Sequence, residues 1–382
     1  MKKTILVFSG GGLSPSLNPT IYGVVRQAQK KGFKVLGGMY GWASLLNKGK
    51  IIDLTKINLE PIKNIGGTLL RSSRTNPLMV KNGVEQIKSQ IKKYKIDYIV
   101  AIGGNDTVGA AAKLYQQYNL PIIAIPKTID NDLPHTYFTP GFPSAANYLA
   151  NYVKEIREDA AYALNRIFVI EAMGQDAGWL AASAIYGGAD LIIPPEKTAN
   201  LNNFLKILNY KYKKNGFFAV VVVAQNARCS PALNGLIDDQ KDQYQTKRQS
   251  FICLPLRDLI KKKLGIDTKA VMPGNYVETG RPTEIDKNFA IKLGQQSVNL
   301  AAKNKIGFMV CLTKKGKYLK VKEAPLKLIF AKEKTKILDN SYFDFNKFQP
   351  TKKFIDYMTP ILGKFKKPDS AYYQLIKKIN KT

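Results

Sequence analysis

Short, largely apolar runs recur along the chain, and each ends in glycines or in a polar turn. Residues 4–8, 33–39, 98–102, 120–125, 167–170 and 217–224 are of this kind. They are too brief for helices and rich in β-branched side chains, so they read as strands buried on both faces, the pattern of a parallel sheet. Between them the apolar positions fall at helical spacing: Ile21, Val24 and Val25 after Asn18, and Ala146, Leu149, Tyr152, Val153 and Ile156 after Gly141. Strand and helix in alternation predict an α/β fold of two Rossmann-like lobes, each a mainly parallel sheet flanked by helices. A chain of 382 residues is long enough for both.

The stretch 99–132 carries the densest chemistry. Its first strand runs into Gly103-Gly104-Asn105-Asp106-Thr107, where two glycines let the backbone come close to a ligand. A helix over 107–118 follows, with Thr107 as its expected cap and its free N–H groups facing any anion in the turn. The next strand ends at Pro126-Lys127-Thr128-Ile129-Asp130-Asn131-Asp132. Ligands of open parallel sheets collect beyond the carboxyl ends of strands, so Lys127, Asp130 and Asp132 are expected to face the same crevice as Asp106. A lysine and three acids there suit a phosphate and a metal ion, whereas helix capping accounts for one or two of them. Gly10-Gly11-Gly12 after the first strand is a second phosphate-binding candidate, although a plain flexible turn would look the same. Gly66-Gly67-Thr68 leads to Arg71-Ser72-Ser73-Arg74, and arginine is the side chain best shaped for phosphate oxygens.

Composition then removes several classes. A hydrophobic share of 45% is that of a globular protein, and no apolar run approaches the length of a membrane span. Met1-Lys2-Lys3 leads directly into the first strand, so no cleavable signal is expected and the protein is placed in the cytoplasm. Cys229, Cys253 and Cys311 are odd in number and lack metal-ligand spacing, which suits reduced thiols. The 59 basic against 28 acidic residues leave +31, a balance that raises nucleic acid or an anionic membrane as partners. The lysines are dispersed in short clusters, such as Lys92-Lys93 and Lys213-Lys214, with no nucleic-acid motif beside them. No specific nucleic acid and no membrane are therefore expected, and a solvated lysine surface is the plainer account. His135 is the only histidine, so proton transfer must fall to a carboxylate, and Asp130 is the best placed.

These motifs, in this order, resemble the phosphofructokinase family. There a Gly-Gly-Asp-Gly-Ser or Gly-Gly-Asp-Asp-Ser turn precedes a Thr-Ile-Asp-Asn-Asp or Thr-Ile-Asp-Gly-Asp loop. Here the pair is Gly103-Gly104-Asn105-Asp106-Thr107 and Thr128-Ile129-Asp130-Asn131-Asp132. Ser9-Gly10-Gly11-Gly12, Arg74, Gly141-Phe142, Glu171-Ala172-Met173-Gly174 and Pro273-Gly274 leading to Gly280-Arg281-Pro282 extend the match over roughly 4 to 330. The resemblance implies magnesium-dependent phosphoryl transfer to the 1-hydroxyl of fructose 6-phosphate, with Asp130 as base and Lys127 and Arg74 stabilising the transferring group. It places the donor on Gly11, Gly12, Gly104, Asp106, Thr107 and Lys127, and magnesium on Asn105, Asp106 and Asp132. The sugar phosphate falls to Thr128, Asp130, Asp132, Arg166, Met173, Gly174, Gln175, Gln225, Lys269, Asn275, Tyr276 and Arg281. Arg166 and Lys269 would serve a neighbouring subunit, which implies a homodimer or homotetramer.

Related ATP-dependent enzymes tend to have glycine at the positions of Asp106 and Lys127. Both are filled here, and by resemblance the pair points to pyrophosphate as donor. The acceptor pocket departs more: Gln175, Lys269 and Glu278 stand where arginine is usual, Gln225 where glutamate is, and Asn275 where histidine or tyrosine is. Three readings stay open beside the main one: a non-catalytic or regulatory subunit, another sugar phosphate such as a seven-carbon ketose phosphate, and ATP as donor. Residues 1–141 with about 277–327 are expected to form the donor and magnesium lobe. Residues 142–276 with about 328–382 are expected to form the sugar-phosphate lobe, and the chain from about Lys314 onward is lysine-rich and reads only as a structural extension.

Overall fold

The computed structural model describes residues 2–162, 165–233, 236–238, 248–316, 318–329 and 335–362, with 365, 375, 378 and 379. They fall into two compact units. The first comprises Met1–Ser144 and Glu278–Lys336, and the second Ala145–Gln240, Lys247–Val277 and Ile337–Thr382.

In the first unit the apolar runs become β1 (Thr4–Ser9), β2 (Lys34–Gly38), β3 (Ile51–Asp53), β4 (Tyr98–Gly103) and β5 (Ile122–Pro126). With the hairpin strands Phe308–Lys315 and Tyr318–Pro325 they make one seven-stranded sheet. From one edge its order is Tyr318–Pro325, Phe308–Lys315, β5, β4, β1, β2, β3. The four inner pairings from Phe308–Lys315 to β2 run parallel, and both edge strands run antiparallel to their neighbours. β1, β4 and β5 are buried at every position, which is why they read as unbroken apolar runs rather than alternating ones. The helices α1 (Leu17–Lys30), α2 (Gly83–Tyr94) and α3 (Asn105–Tyr118) join these strands. α1 and the helix Glu284–Ala302 touch backbone to backbone: a Cβ on Gly23 would lie 2.4 Å from the Ile291 carbonyl oxygen, and one on Gly294 2.5 Å from that of Thr20.

The second unit holds a four-stranded, all-parallel sheet in the order Thr268–Val271, Ile167–Ala172, Ala219–Ala224, Leu191–Ile193. The helix α4 (Phe142–Tyr162) leads into it. Trp179 is buried against the rings of Tyr342, Phe354 and Tyr357, with centroids 5.1, 6.2 and 5.0 Å away, so the stretch after Ile337 closes this unit's core. Of the polar segment 228–249, expected as an exposed excursion or lid, Cys229–Ser230 pairs with Ala199–Asn200 and Leu236–Asp238 with Arg248–Ser250. Residues 234–235 and 239–247 lie outside the described residues, and the lid reading falls mainly on them. The three cysteines are free. Among the described residues no helix is long and apolar enough to cross a membrane.

Candidate active site

Three adjacent parallel strands deliver three turns to one edge of the first unit. Ser9 of β1 is in register with Ile102 of β4, and Gly103 of β4 with Pro126 of β5. The ladder continues one step past the strands: the Gly10 N–H donates to the Ile102 carbonyl at 2.8 Å, and the Lys127 N–H to that of Gly103 at 2.8 Å. The turns 10–12, 104–107 and 127–132 therefore lie side by side. Gly11 is left-handed (φ 81°); its N–H donates to the Ser73 carbonyl at 3.0 Å and its carbonyl accepts from Ser72 Oγ at 2.5 Å. Those bonds tie the Arg71-to-Arg74 segment to the glycine turn.

Thr107 is not the cap of α3, as the sequence suggests. The helix begins two residues earlier at Asn105, with Gly104 in extended conformation as its N-cap and no side chain bonded to its first amides. Thr107 instead fills the space beside two glycines: a Cβ on Gly10 or Gly103 would lie 2.6 or 2.5 Å from its Oγ1. The amides of the first turn, with the positive end of the helix dipole, are left for an anion.

Lys127 is a cation of this edge. Its side chain is buried, and Nζ donates to the Gly12 carbonyl at 2.5 Å. Burial pushes its pKa down to about 8, against the attraction of Asp130, Glu278 and Asp132. Asp132 is driven the other way, up to about 7, by burial and by the neighbouring charge of Asp130. Glu278 joins them: its Oε1 lies 3.6 Å from where a Cβ on Gly12 would be, and burial raises its pKa while Lys127 and Arg74 lower it. The charge of Asp130 acts on Lys127, Asp132 and Glu278 alike, so its carboxylate belongs to this cluster.

Two oxygens point to a cation. The amide nitrogen of Asn105 donates to Asp132 Oδ2, while Asn105 Oδ1 and Asp132 Oδ1 are both buried without a hydrogen-bond partner. Two hard oxygens left unsatisfied in one hydrogen-bonded pair fit a magnesium ion that takes its remaining ligands from phosphate and water. Asp106 is exposed in the first turn of α3. Among the described residues no three His, Cys, Asp or Glu side chains form a metal-sized group.

The loop after β5 is held from below. Thr128 Oγ1 accepts from the Asp130 N–H at 3.1 Å, and Thr139 Oγ1 donates to the Thr128 carbonyl at 2.8 Å. The fully buried carboxylate of Asp286 accepts from the Gly141 N–H at 2.9 Å, from the Ser144 N–H at 3.3 Å and from Ser144 Oγ. Ser144 is thus a donor inside the first turn of α4, and the capping group is Asp286, 145 residues along the chain from Gly141.

The sugar-phosphate candidates divide between the units and, in the second, between the two ends of one sheet. Met173, Gly174 and Gln175 follow Ile167–Ala172, Gln225 follows Ala219–Ala224, and Asn275 and Tyr276 lie shortly after Thr268–Val271, all at carboxyl ends. Gln175 is left-handed (φ 50°), and the Gln225 N–H donates to the Ala172 carbonyl at 2.9 Å. Arg166 and Lys269 lie at the opposite end: Arg166 precedes its strand, stands 3.4 Å from Asp267 Oδ2 and covers the Phe168 ring, while Lys269 is in register with Phe168. A strand of this length spans about 20 Å, so the structure does not bring these two together with Gln175. Arg281 is exposed in the first unit.

Sequence reasoning missed Lys336. Its ammonium lies 2.8 Å from the Tyr137 carbonyl and 3.1 Å from Asn131 Oδ1, inside the loop that carries Asp130 and Asp132. A lysine in a lysine-rich stretch gives no contrast by which to find it.

Comparisons with known proteins show which family the chain is similar to. A sequence model described as phosphofructokinase matches residues 4–301. The pyrophosphate–fructose 6-phosphate 1-phosphotransferase of Dictyoglomus thermophilum is 36% identical over 349 residues, 90% of this chain and 97% of that one. ATP-dependent 6-phosphofructokinase 3 of Streptomyces coelicolor is 30% identical over 311 residues, 80% of this chain and 89% of that one. Among solved structures, a pyrophosphate-dependent phosphofructokinase from Marinobacter aquaeolei superposes with a TM-score of 0.82 at 23% identity, covering 96% of this chain and 93% of that one.

Proposed function

The chain belongs to the phosphofructokinase family, and from that premise we propose that it transfers a phosphoryl group from pyrophosphate to the 1-hydroxyl of fructose 6-phosphate. The observation that carries the choice of donor is the buried Lys127 ammonium on the Gly12 carbonyl. It fills the glycine turn where a nucleotide's α-phosphate needs room, and supplies full charge to a short, highly charged donor. Asp106 in the first turn of α3 adds a negative charge that repels a third phosphate.

Asp130 accepts the proton of the sugar hydroxyl as the oxygen bonds to phosphorus, and the bridging P–O bond breaks to release inorganic phosphate. Lys127 and Arg74 neutralise charge on the transferring group, and the Gly104-to-Thr107 amides hold the donor in place. Asn105 Oδ1 and Asp132 Oδ1 are the ligands this chain offers to Mg2+, which when bound offsets charge on the donor oxygens. The products are fructose 1,6-bisphosphate and phosphate, a glycolytic step expected to run in both directions. Arg166 and Lys269, remote from Gln175, serve a second copy of the chain, so the working enzyme is a cytoplasmic homo-oligomer.

Glu278 favours a second reading of the acceptor. A carboxylate beside Lys127 and Asp130 adds negative charge where relatives resembling this chain place arginine, and this suits another sugar phosphate. The test is aldolase-coupled product formation with fructose 6-phosphate and Mg2+, pyrophosphate against ATP. Turnover with pyrophosphate alone is expected. Turnover with ATP alone overturns the donor assignment, and silence with both in folded protein moves the acceptor to another sugar phosphate.

A further inference from the structure

Lys336 lies beyond the part of the chain that the family model matches, residues 4–301, yet it is built into the loop that carries the reacting groups. Its backbone N–H donates to the Asp132 carbonyl at 2.7 Å. Its Nζ donates to Asn131 Oδ1 at 3.1 Å on the outgoing limb of that loop, and to the carbonyls of Tyr137 at 2.8 Å and Thr136 at 3.5 Å on the returning limb. The side chain is half-exposed along its length, but its charged end is drawn inward onto oxygens. Asn131 is itself fully buried in the left-handed region (φ 58°), and its Oδ1 also accepts from the Thr139 N–H at 3.1 Å. One lysine therefore laces both limbs of the loop around a strained residue that sits between Asp130 and Asp132.

Charge adds to this. The Asp132 carboxylate has a like charge beside it in Asp130, and Lys336 is the cation acting against that repulsion. Without it, Asp132 would have to stay on the Asn105 amide nitrogen against both burial and Asp130. A lysine on a loop that needed only closure could be replaced by any packed side chain. A lysine whose donors end on three loop oxygens and whose charge reaches Asp132 does more than pack.

We propose that Lys336 is a positioning residue for phosphoryl transfer: it fixes the Asp132 backbone and keeps the Asp132 carboxylate presented beside Asn105 as the cation ligand of the site. This rests on reading that site as the phosphoryl-transfer centre. Groups that orient a ligand from behind are worth roughly 10- to 100-fold in metal affinity or activity. The experiment compares Lys336→Met and Lys336→Arg with the unchanged full chain. In the methionine variant, circular dichroism and the thermal midpoint should show a folded protein. Half-saturation by Mg2+ should rise about tenfold or more and kcat should fall by a similar factor, while KM for the sugar phosphate stays within about twofold. Calorimetric titration with magnesium pyrophosphate should show the same loss without turnover, and the arginine variant should recover most of it. A folded methionine variant with wild-type Mg2+ dependence and wild-type calorimetric affinity overturns the proposal. If the methionine variant does not fold, the arginine variant decides: a folded protein with tenfold weaker Mg2+ dependence shows that a retained charge and donors do not suffice, and the idea falls. The donor assignment fails separately, through wild-type turnover with ATP alone, and the Lys336 comparison is then made with that donor.

Discussion

Lys127 is a cation kept out of water, and its cost is readable from its proton affinity. A shift from 10.5 to about 8 corresponds to roughly 3 kcal/mol spent on holding the buried charge at neutral pH. In stability terms the folded pKa is depressed, so the penalty is present below about pH 8 and fades as pH rises towards the unfolded value. An incoming polyanion reverses the balance, because it interacts with the charged form. The affinity for pyrophosphate should therefore fall as pH rises through about 8, by up to tenfold per pH unit beyond it. A pH series of kcat/KM for pyrophosphate at saturating Mg2+ checks this, and a flat profile from 7.5 to 9.5 would show that Lys127 does not hold the donor. Lys127, Asp130 and Asp132 are legible in sequence because each lies within a few residues of a strand end, where local pattern fixes location. Lys336 and the inward face of Glu278 are not, because each meets the loop across more than a hundred residues of chain and no periodicity marks it.

At the scale of elements, sequence reaches the strands well and the helix starts less well. β1, β4 and β5 announce themselves as apolar runs ended by glycine or by Pro126-Lys127. The hairpin Phe308–Lys315 with Tyr318–Pro325 stays hidden because its outer strand alternates exposed Lys320 and Lys322 with half-buried Leu319 and Val321, a lysine-coated edge that reads as an extension. The helix starts fail for a physical reason: the capping groups come from elsewhere. α3 starts on an uncapped glycine that leaves its amides to a ligand, and α4 is capped by Asp286 of a distant helix. That second cap has a measurable sign. Burial raises the Asp286 carboxyl from 3.8 to about 6 despite its three donors, so its contribution to stability is full below about pH 4 and is lost as pH rises through about 6. Asp286→Asn removes the titration. The stability of the variant relative to the native chain should improve by up to about 3 kcal/mol between pH 4 and pH 7.5, read from urea midpoints. Parallel pH curves for the two proteins would rule the account out.

At the scale of the molecule, the two ends of the second sheet carry different work. Gln175 and Gln225 face one end, Arg166 and Lys269 the other, and under the proposed function the second pair belongs to a neighbour's site. Mixing tests this directly. Asp130→Asn chains, expected to lose about 10²- to 10⁴-fold in activity alone, and Arg166→Ser chains, expected to be impaired alone, should regain on the order of a quarter of native turnover when unfolded together and reassembled. Mixed chains that stay as inactive as the separate ones would mean that each subunit builds its site unaided. The excess of +31 charge over the whole chain should also raise the encounter rate with polyanionic substrates.

The first unit is written in two instalments, Met1–Ser144 and Glu278–Lys336, with most of the second unit between them. A nascent chain can pair β1, β2, β4 and β5 early, but the outer side of β5 stays bare until Phe308 and Met309 appear, and the Asp130 loop stays unlaced until Lys336 does. At common translation rates that gap is on the order of ten seconds or more. During synthesis this protein therefore carries an open sheet edge that its finished form never shows, and its dependence on chaperones should be greatest before the ribosome passes that second instalment.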